Sequence, residues 1–167
     1  MLAEFAPVNS KPFPRRKCLR LPNFDYAQPG FAYFMTLCVR DSQPLFKNDA
    51  LAEQVTTIPH NVRREYGAQV YAYCLMPDYL HLVMSLVETA KTVPEVVRNF
   101  KKLTTQAAWD HGYQGGLWQR SFYDHVIRQP ENLESICRYV LENPVRAGLV
   151  EQSGEYPYSG TPDSCAM

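Results

Sequence analysis

The sequence predicts an α+β fold in which helices pack against an antiparallel sheet. Segments Phe31–Val39 and Tyr79–Leu86 alternate in polarity or side-chain type with the period of a strand. Two longer segments, 49–66 and 92–109, instead carry helical spacing and helix start signals. The predicted order is strand, helix, strand, strand, helix, strand, helix. This order matches the ferredoxin-like βαββαβ plan with an additional C-terminal helix.

The first half of the chain supplies one strand and one helix. Phe31–Val39 places every second residue on one face, as expected for a strand with one buried side. Asp49 is predicted to cap a helix that runs to about Tyr66 and stops at Gly67. Pro59 lies inside this helix and is predicted to kink or split it.

A hairpin and a second helix follow. Gln69–Leu75 is rich in β-branched and aromatic residues and predicts a strand, which a turn at Met76–Asp78 connects to Tyr79–Leu86. The sequence Thr-Val-Pro-Glu at 92–95 combines a capping box with an early proline. It predicts a helix that runs to about Trp109.

The last predicted elements are a strand and a helix. Phe122–Arg128 has strand character after a glycine-containing loop at 112–116. Asn132–Asn143 is predicted to be a helix that Pro144 ends, because the residue before a proline disfavours helical geometry.

Composition limits the class of protein. A length of 167 residues suits one domain, predicted at 31–167 behind a basic, proline-rich arm at 1–30. The formal net charge is zero, which excludes a uniformly basic protein but allows a local basic face. The five cysteines form no CxxC pair, so we expect reduced thiols and a cytoplasmic protein. No apolar run is long enough to predict a membrane span.

One histidine stands out on the third strand. Alternation places Leu80, Leu82 and Met84 on one face of the strand and His81 on the other. Such a histidine is either a partly buried residue bound by a neighbour or a metal ligand. The strand alone leaves both interpretations open.

A tyrosine stands out on the last predicted helix. Tyr139 and Asn143 are four residues apart, so on a continuous helix they would share one face at the edge of the apolar arc. A phenol and a carboxamide would then lie side by side. A tyrosine in this position is usually structural, with a buried ring and a solvated hydroxyl.

Several segments together resemble a known family. They are RLPNFDYAQPGFAYFMTLCVRDSQPLF, YCLMPDYLHLVMSL, FKKLTT, LWQRSFYDHVIR and RYVLENPVRAGLV, in that order along the chain. In these segments the chain resembles the REP-associated tyrosine transposases, single-tyrosine relatives within the HUH nuclease superfamily. The resemblance extends from residue 15 to about residue 158.

The resemblance implies roles for individual residues. Tyr139 matches the catalytic tyrosine, His81 the second histidine of the family's His-hydrophobic-His metal motif, and Asn143 the third metal ligand. Tyr79 stands where the family has the first histidine, and a phenol is a poor ligand for a divalent ion at neutral pH. His125 is either a substitute ligand or a histidine bound by its neighbours.

The resemblance also implies a reaction and a partner. Tyr139 would attack a phosphodiester of single-stranded, hairpin-forming DNA and form a 5′-phosphotyrosine link, with Mg²⁺ or Mn²⁺ as cofactor. The protein would act as a monomer or a homodimer. Alternatives are a relative that binds DNA hairpins without cleaving them, which Tyr79 favours, and an unrelated RNA-binding module, which lacks sequence support.

Basic residues on the arm and on the second helix are the predicted DNA contacts, because phosphate neutralisation drives affinity for DNA. Three of these cations recur at helical spacing on one face, and four lie on the arm. Tyr113, Trp118 and Tyr123 are candidates for stacking on unpaired bases, although Trp118 could equally be core. The seven predicted DNA-binding residues are Arg15, Arg16, Lys17, Arg20, Arg98, Lys101 and Lys102.

Overall fold

The structure is a computed structural model that describes residues 25–26, 30–87, 91–127 and 133–163, without the side chains of 62 and 63. Five strands and four α-helices lie in these residues, with short 3-10 turns at 40–42 and 45–47. The strands are β1 (Ala32–Cys38), β2 (Ala68–Leu75), β3 (Tyr79–Leu86), β4 (Tyr123–Ile127) and β5 (Ser159–Gly160). The helices are α1 (Asp49–Tyr66), α2 (Val93–Asp110), α3 (Leu133–Leu141) and α4 (Asn143–Arg146).

The strands form one antiparallel sheet in the order β4-β1-β3-β2-β5. The first four strands have the arrangement of a ferredoxin-like fold, so the predicted α+β class and order of elements are confirmed. β3 is central and pairs along its whole length with β1 and β2. A bulge between Val70 and Ala72 shifts the register of β2 by one residue.

The two faces of the sheet bury two separate apolar clusters. Leu80, Leu82 and Met84 lie in the larger cluster with the buried residues of α1 and α2. Val83 lies in the smaller cluster, with the buried residues of α3. The predicted alternation of β3 is therefore observed, but the face that carries His81 is a second core rather than a free surface.

Helix α1 differs from its predicted form at two positions. Its N-cap is Asn48, whose side chain accepts a hydrogen bond from the backbone N–H of Leu51 at 3.1 Å, and Asp49 is the first helical residue. The helix continues through Pro59 without a break. Burial of Val55 and Ile58 beside the proline stabilises turns that Pro59 alone would disfavour.

The predicted single helix from residue 132 to 143 is in fact two helices. α3 ends at Leu141, and Asn143 begins the short helix α4 with Pro144 in its first turn. Pro144 therefore begins a helical turn instead of only ending one, because proline is well suited to the first turn of a helix. This break decides where Asn143 points relative to Tyr139.

Some predictions fall largely or wholly outside the described residues. They include the basic arm at 1–30, with Arg15, Arg16, Lys17 and Arg20. Among the described cysteines, Cys74 and Cys137 are buried and Cys38 is half-buried. None of the described helices combines the length and apolar character needed to span a bilayer.

Candidate functional site

The imidazole of His81 is at the centre of the candidate site. His81 is 5% exposed and stands opposite Thr36 on β1 and Cys74 on β2. Its Nδ1 shares a hydrogen bond of 2.9 Å with the Thr36 hydroxyl. The rings of Phe34 and Tyr79 lie 5.1 and 4.9 Å away between centroids.

Burial keeps this imidazole neutral. Loss of hydration, together with the positive charge of Arg146, lowers the pKa of His81 to about 4. At neutral pH the ring is therefore uncharged, which is the form that binds metals and accepts protons.

Tyr139 packs over this part of the sheet from α3. Its half-buried ring lies 6.3 Å from the His81 ring and 6.2 Å from the Phe34 ring, the latter edge-on. The guanidinium of Arg146 stands 4.0 Å from the centre of the Tyr139 ring, in a cation–π contact. The Tyr139 phenol therefore lies close to both the His81 imidazole and the Arg146 guanidinium.

Arg146 connects the two short helices. Its Nη2 donates to the Tyr139 carbonyl oxygen at 2.7 Å and to Asn143 Oδ1 at 3.4 Å. Its Nη1 also lies 3.7 Å from a Glu142 carboxylate oxygen, in a partly exposed ion pair. These contacts fix a positive charge beside the tyrosine ring.

Asn143 is brought to the same site, although it lies on α4. It is 8% exposed, and its Nδ2 donates a 2.7 Å hydrogen bond to the Tyr79 hydroxyl. Burial raises the pKa of Tyr79 above its ordinary value, although the bond from Asn143 opposes this rise. Tyr79 is therefore a neutral phenol at neutral pH.

A divalent metal fits these residues poorly. Both polar ends of the Asn143 amide are engaged, one by Tyr79 and the other by Arg146. Tyr79 is protonated, so His81 is the remaining ligand of the predicted set, and the cation of Arg146 lies beside it. Across the described ranges, no group of three His, Cys, Asp or Glu residues could hold a metal.

His125 lies on the same sheet face but not at the same place. It stands opposite Phe34 on β1, whereas His81 stands opposite Thr36, and β1 separates the two histidine strands. Two strand spacings separate the two backbones by roughly 10 Å.

The three predicted cations of α2 lie on one surface, on the other side of the sheet. Arg98, Lys101 and Lys102 line a groove of about 360 Å³ together with Arg120 from the segment before β4. The ammonium of Lys101 donates to the carbonyl oxygens of Gln119 and Ser121 at 2.8 and 3.1 Å. Lys101 therefore also attaches this segment to α2.

The three aromatic candidates for base stacking differ in exposure. Trp118 is buried and donates to the Thr104 hydroxyl at 2.6 Å, so it is a core residue. Tyr123 is 49% exposed, and Tyr113 packs against the larger core.

Sequence reasoning misses three residues that the structure places at these sites. Arg146 is not indicated by any pattern, because its position depends on the break between α3 and α4. Trp109 is predicted only as the end of a helix, yet it is 53% exposed. Arg120 reaches the groove from a loop, where no periodicity could indicate its direction.

Comparison with known proteins identifies the family. Residues 28–143 match the family model described as "Transposase IS200 like". A Haemophilus influenzae protein whose name assigns it to the REP-associated tyrosine transposases is 27% identical over 150 residues, covering 81% of each chain. The Escherichia coli REP-associated tyrosine transposase is 26% identical over 137 residues, covering 80% of this chain and 78% of its own.

A solved structure confirms the fold. It is described as a REP-associated tyrosine transposase bound to a REP hairpin, and it superposes with a TM-score of 0.64 at 24% identity. The match covers 81% of this chain and 79% of the other. Because the family model covers well over half of the sequence, the protein belongs to the IS200-like transposase family.

Proposed function

We propose that this protein binds hairpin-forming DNA and cleaves and rejoins a single strand of it, with Tyr139 as the nucleophile. The observation that carries the proposal is the meeting of Tyr139, His81, Asn143 and Arg146 on one sheet face. Two named relatives are REP-associated tyrosine transposases, and a structural relative was solved with a REP hairpin.

The proposed step is a transfer of a phosphoryl group to the phenol. A bond forms between Tyr139 Oη and phosphorus, and the bond between phosphorus and the 3′ oxygen breaks. The phenol loses its proton, and the departing 3′ oxygen gains one. The DNA remains attached through its 5′ phosphate until a 3′-hydroxyl reverses the step and restores the phenol.

Arg146 supplies positive charge at the reacting group in this proposal. A guanidinium over the Tyr139 ring lies within reach of a phosphate that approaches the phenol oxygen. Arginine suits this role because its planar fork of donors matches phosphate geometry. Its Nη2 bonds to Tyr139 and Asn143 hold the fork in place.

The family generally uses a divalent metal. In this chain both ends of the Asn143 amide are engaged and His81 is the remaining ligand of the predicted set, so we expect Mg²⁺ or Mn²⁺ to bind weakly. No step of the proposed reaction depends on the ion.

The test is a search for a covalent DNA–protein adduct. Labelled hairpin DNA with a single-stranded extension is incubated with the protein in EDTA and, separately, in Mn²⁺, and the products are resolved under denaturing conditions. We expect a retarded band that Tyr139→Phe abolishes while hairpin binding stays nearly unchanged. An adduct that forms equally with Tyr139→Phe would reject the catalytic assignment.

A hairpin-binding protein without cleavage is the second candidate. The contacts of Asn143 favour it, because Arg146 donates to Oδ1, the oxygen that would bind a metal, and Tyr79 accepts from Nδ2. Tight hairpin binding with no adduct in either EDTA or Mn²⁺ would select this function.

A further inference from the structure

The helical side of the molecule carries a groove remote from Tyr139. One wall is the exposed face of α2, where Arg98, Lys102 and Trp109 recur along about three turns. The other wall is the segment 116–120, which includes Arg120. The groove measures about 360 Å³, and none of its lining residues is acidic.

Trp109 is the unusual residue of this groove. Its ring is 53% exposed, although tryptophan is among the side chains that gain most from burial. The indole N–H donates to the Gly115 carbonyl oxygen at 2.8 Å, which fixes one edge of the ring against the loop. A large, held and exposed aromatic ring beside cations is the combination that binds unpaired bases.

Hydrogen bonds to the rest of the protein fix both walls of the groove. Lys101 attaches the segment 119–121 to α2 through two carbonyl bonds, and its ammonium lies 5.5 Å from the centre of the Phe122 ring. The backbone of Arg40 donates to Leu117 O at 2.9 Å, and that of Gln119 donates to Cys38 O at 2.8 Å. Both walls are therefore held to the protein before any ligand arrives.

The groove and the tyrosine lie on opposite faces of the sheet. α2 packs in the larger cluster, whereas Tyr139 packs against the smaller one. The segment 116–120 leads directly into the edge strand β4, where Tyr123 stands opposite Thr36, the partner of His81. The edge strand β4 therefore lies between the groove on one face of the sheet and the Tyr139 site on the other.

We infer that this groove is a second DNA site, which binds unpaired nucleotides by stacking a base on Trp109 and pairing phosphates with Arg98, Lys102 and Arg120. The inference rests on the proposed DNA-binding function and adds to it a single-strand site separate from the tyrosine. DNA bound there continues over the β4 edge toward Tyr139.

The experiment measures binding of two DNA probes in EDTA by fluorescence anisotropy. One probe is an oligothymidine and the other is a blunt hairpin without unpaired ends. Trp109→Ala is expected to lower affinity for the oligothymidine about tenfold, since stacking of one base contributes this much or more. Trp109→Phe keeps a stacking ring and is expected to retain most of the affinity, and hairpin binding should change little in either variant.

Tryptophan fluorescence gives an independent readout. The chain has two tryptophans, and Trp118 is buried and bonded to Thr104, so a bound base can quench mainly Trp109. We expect oligothymidine to quench the wild-type protein and to leave Trp109→Phe unquenched.

The outcomes separate this inference from the proposed function. Unchanged oligothymidine affinity in Trp109→Ala, or an equal loss for both probes, overturns the stacking site while DNA binding stands. If the wild-type protein binds neither probe, both the groove and the proposed function are rejected. Circular dichroism of Trp109→Ala checks that the exposed substitution leaves the fold intact.

Discussion

At the scale of single residues, Tyr79 determines what the site can bind. Its hydroxyl accepts the Asn143 amide N–H at 2.7 Å, at the position where the sequence comparison leads us to expect an imidazole. Alternation along β3 is sufficient to predict that residues 79 and 81 share a face. The engagement of Asn143 is not predictable from sequence, because it depends on where α4 places the amide.

Replacing Tyr79 by histidine should strengthen metal binding. Tyr79→His adds an imidazole beside His81, so we expect tighter Mn²⁺ binding in a calorimetric titration and more Mn²⁺-dependent adduct. The matched control is Tyr79→Phe, which adds no ligand and leaves Asn143 Oδ1 bonded to Arg146, so it should bind no more Mn²⁺ than the wild type. Equal Mn²⁺ affinity in Tyr79→His and wild type would show that the missing histidine does not limit the site.

Burial of His81 should make the fold sensitive to acid. The folded-state pKa is about 4 against an ordinary 6.5, so between these values the unfolded chain binds more protons than the folded protein. Stability is therefore complete above about pH 6.5 and falls as the pH drops toward 4, by roughly 3 kcal/mol in total.

This acid sensitivity can be measured by urea unfolding at several pH values. His81→Gln keeps a polar side chain near Thr36 but cannot titrate, so its stability should fall less over the same pH range. Parallel losses of unfolding free energy in the two proteins would contradict the assignment to His81.

At the scale of elements, the strands are easier to predict than the helix ends. The bounds of β3 agree with the sequence pattern, because strict alternation specifies both the strand and its faces. Pro59 does not split α1, and Pro144 lies in the first turn of a helix, because the effect of a proline depends on its helical position and on neighbouring burial. Local sequence gives only part of that information.

The cations of α2 should differ in what they contribute. Arg98→Ala and Lys102→Ala are each expected to reduce the salt dependence of DNA binding, by roughly 0.7 to 0.9 in the logarithmic slope for each phosphate that the variant no longer neutralises. Lys101→Ala is also expected to lower the free energy of unfolding by about 1 to 2 kcal/mol, because it removes two bonds to backbone carbonyls.

Lys47→Ala is the control for these variants, because Lys47 is exposed outside the groove and should leave the slope unchanged. The measurement is the dissociation constant of hairpin DNA with a single-stranded extension across a series of salt concentrations. If the α2 variants keep the wild-type slope, this helix face is only solvated surface.

At the scale of the whole molecule, the fold assembles the candidate site from one chain. β3 provides His81, α3 provides Tyr139 and α4 provides Asn143, and their side chains meet without a second copy. The order of elements predicts this architecture. The basic groove can be recognised only in the three-dimensional structure, because no sequence pattern connects Arg120 with Trp109.

A site completed within one chain should not be rescued by mixing variants. We expect a mixture of His81→Ala and Tyr139→Phe to form no more covalent adduct than His81→Ala alone. An increase in adduct on mixing would show that two chains exchange their tyrosines and that the active form is a homodimer.

Locating the attached nucleotide shows which tyrosine bonds to DNA. The adduct is digested with nuclease and trypsin, and the peptides are examined by mass spectrometry. Trypsin separates the two candidates, since Tyr139 lies between Arg138 and Arg146, whereas Tyr79 lies between Arg64 and Lys91. We expect the nucleotide on the peptide that contains Tyr139. A nucleotide on the peptide that contains Tyr79 would show that Tyr139 is not the nucleophile.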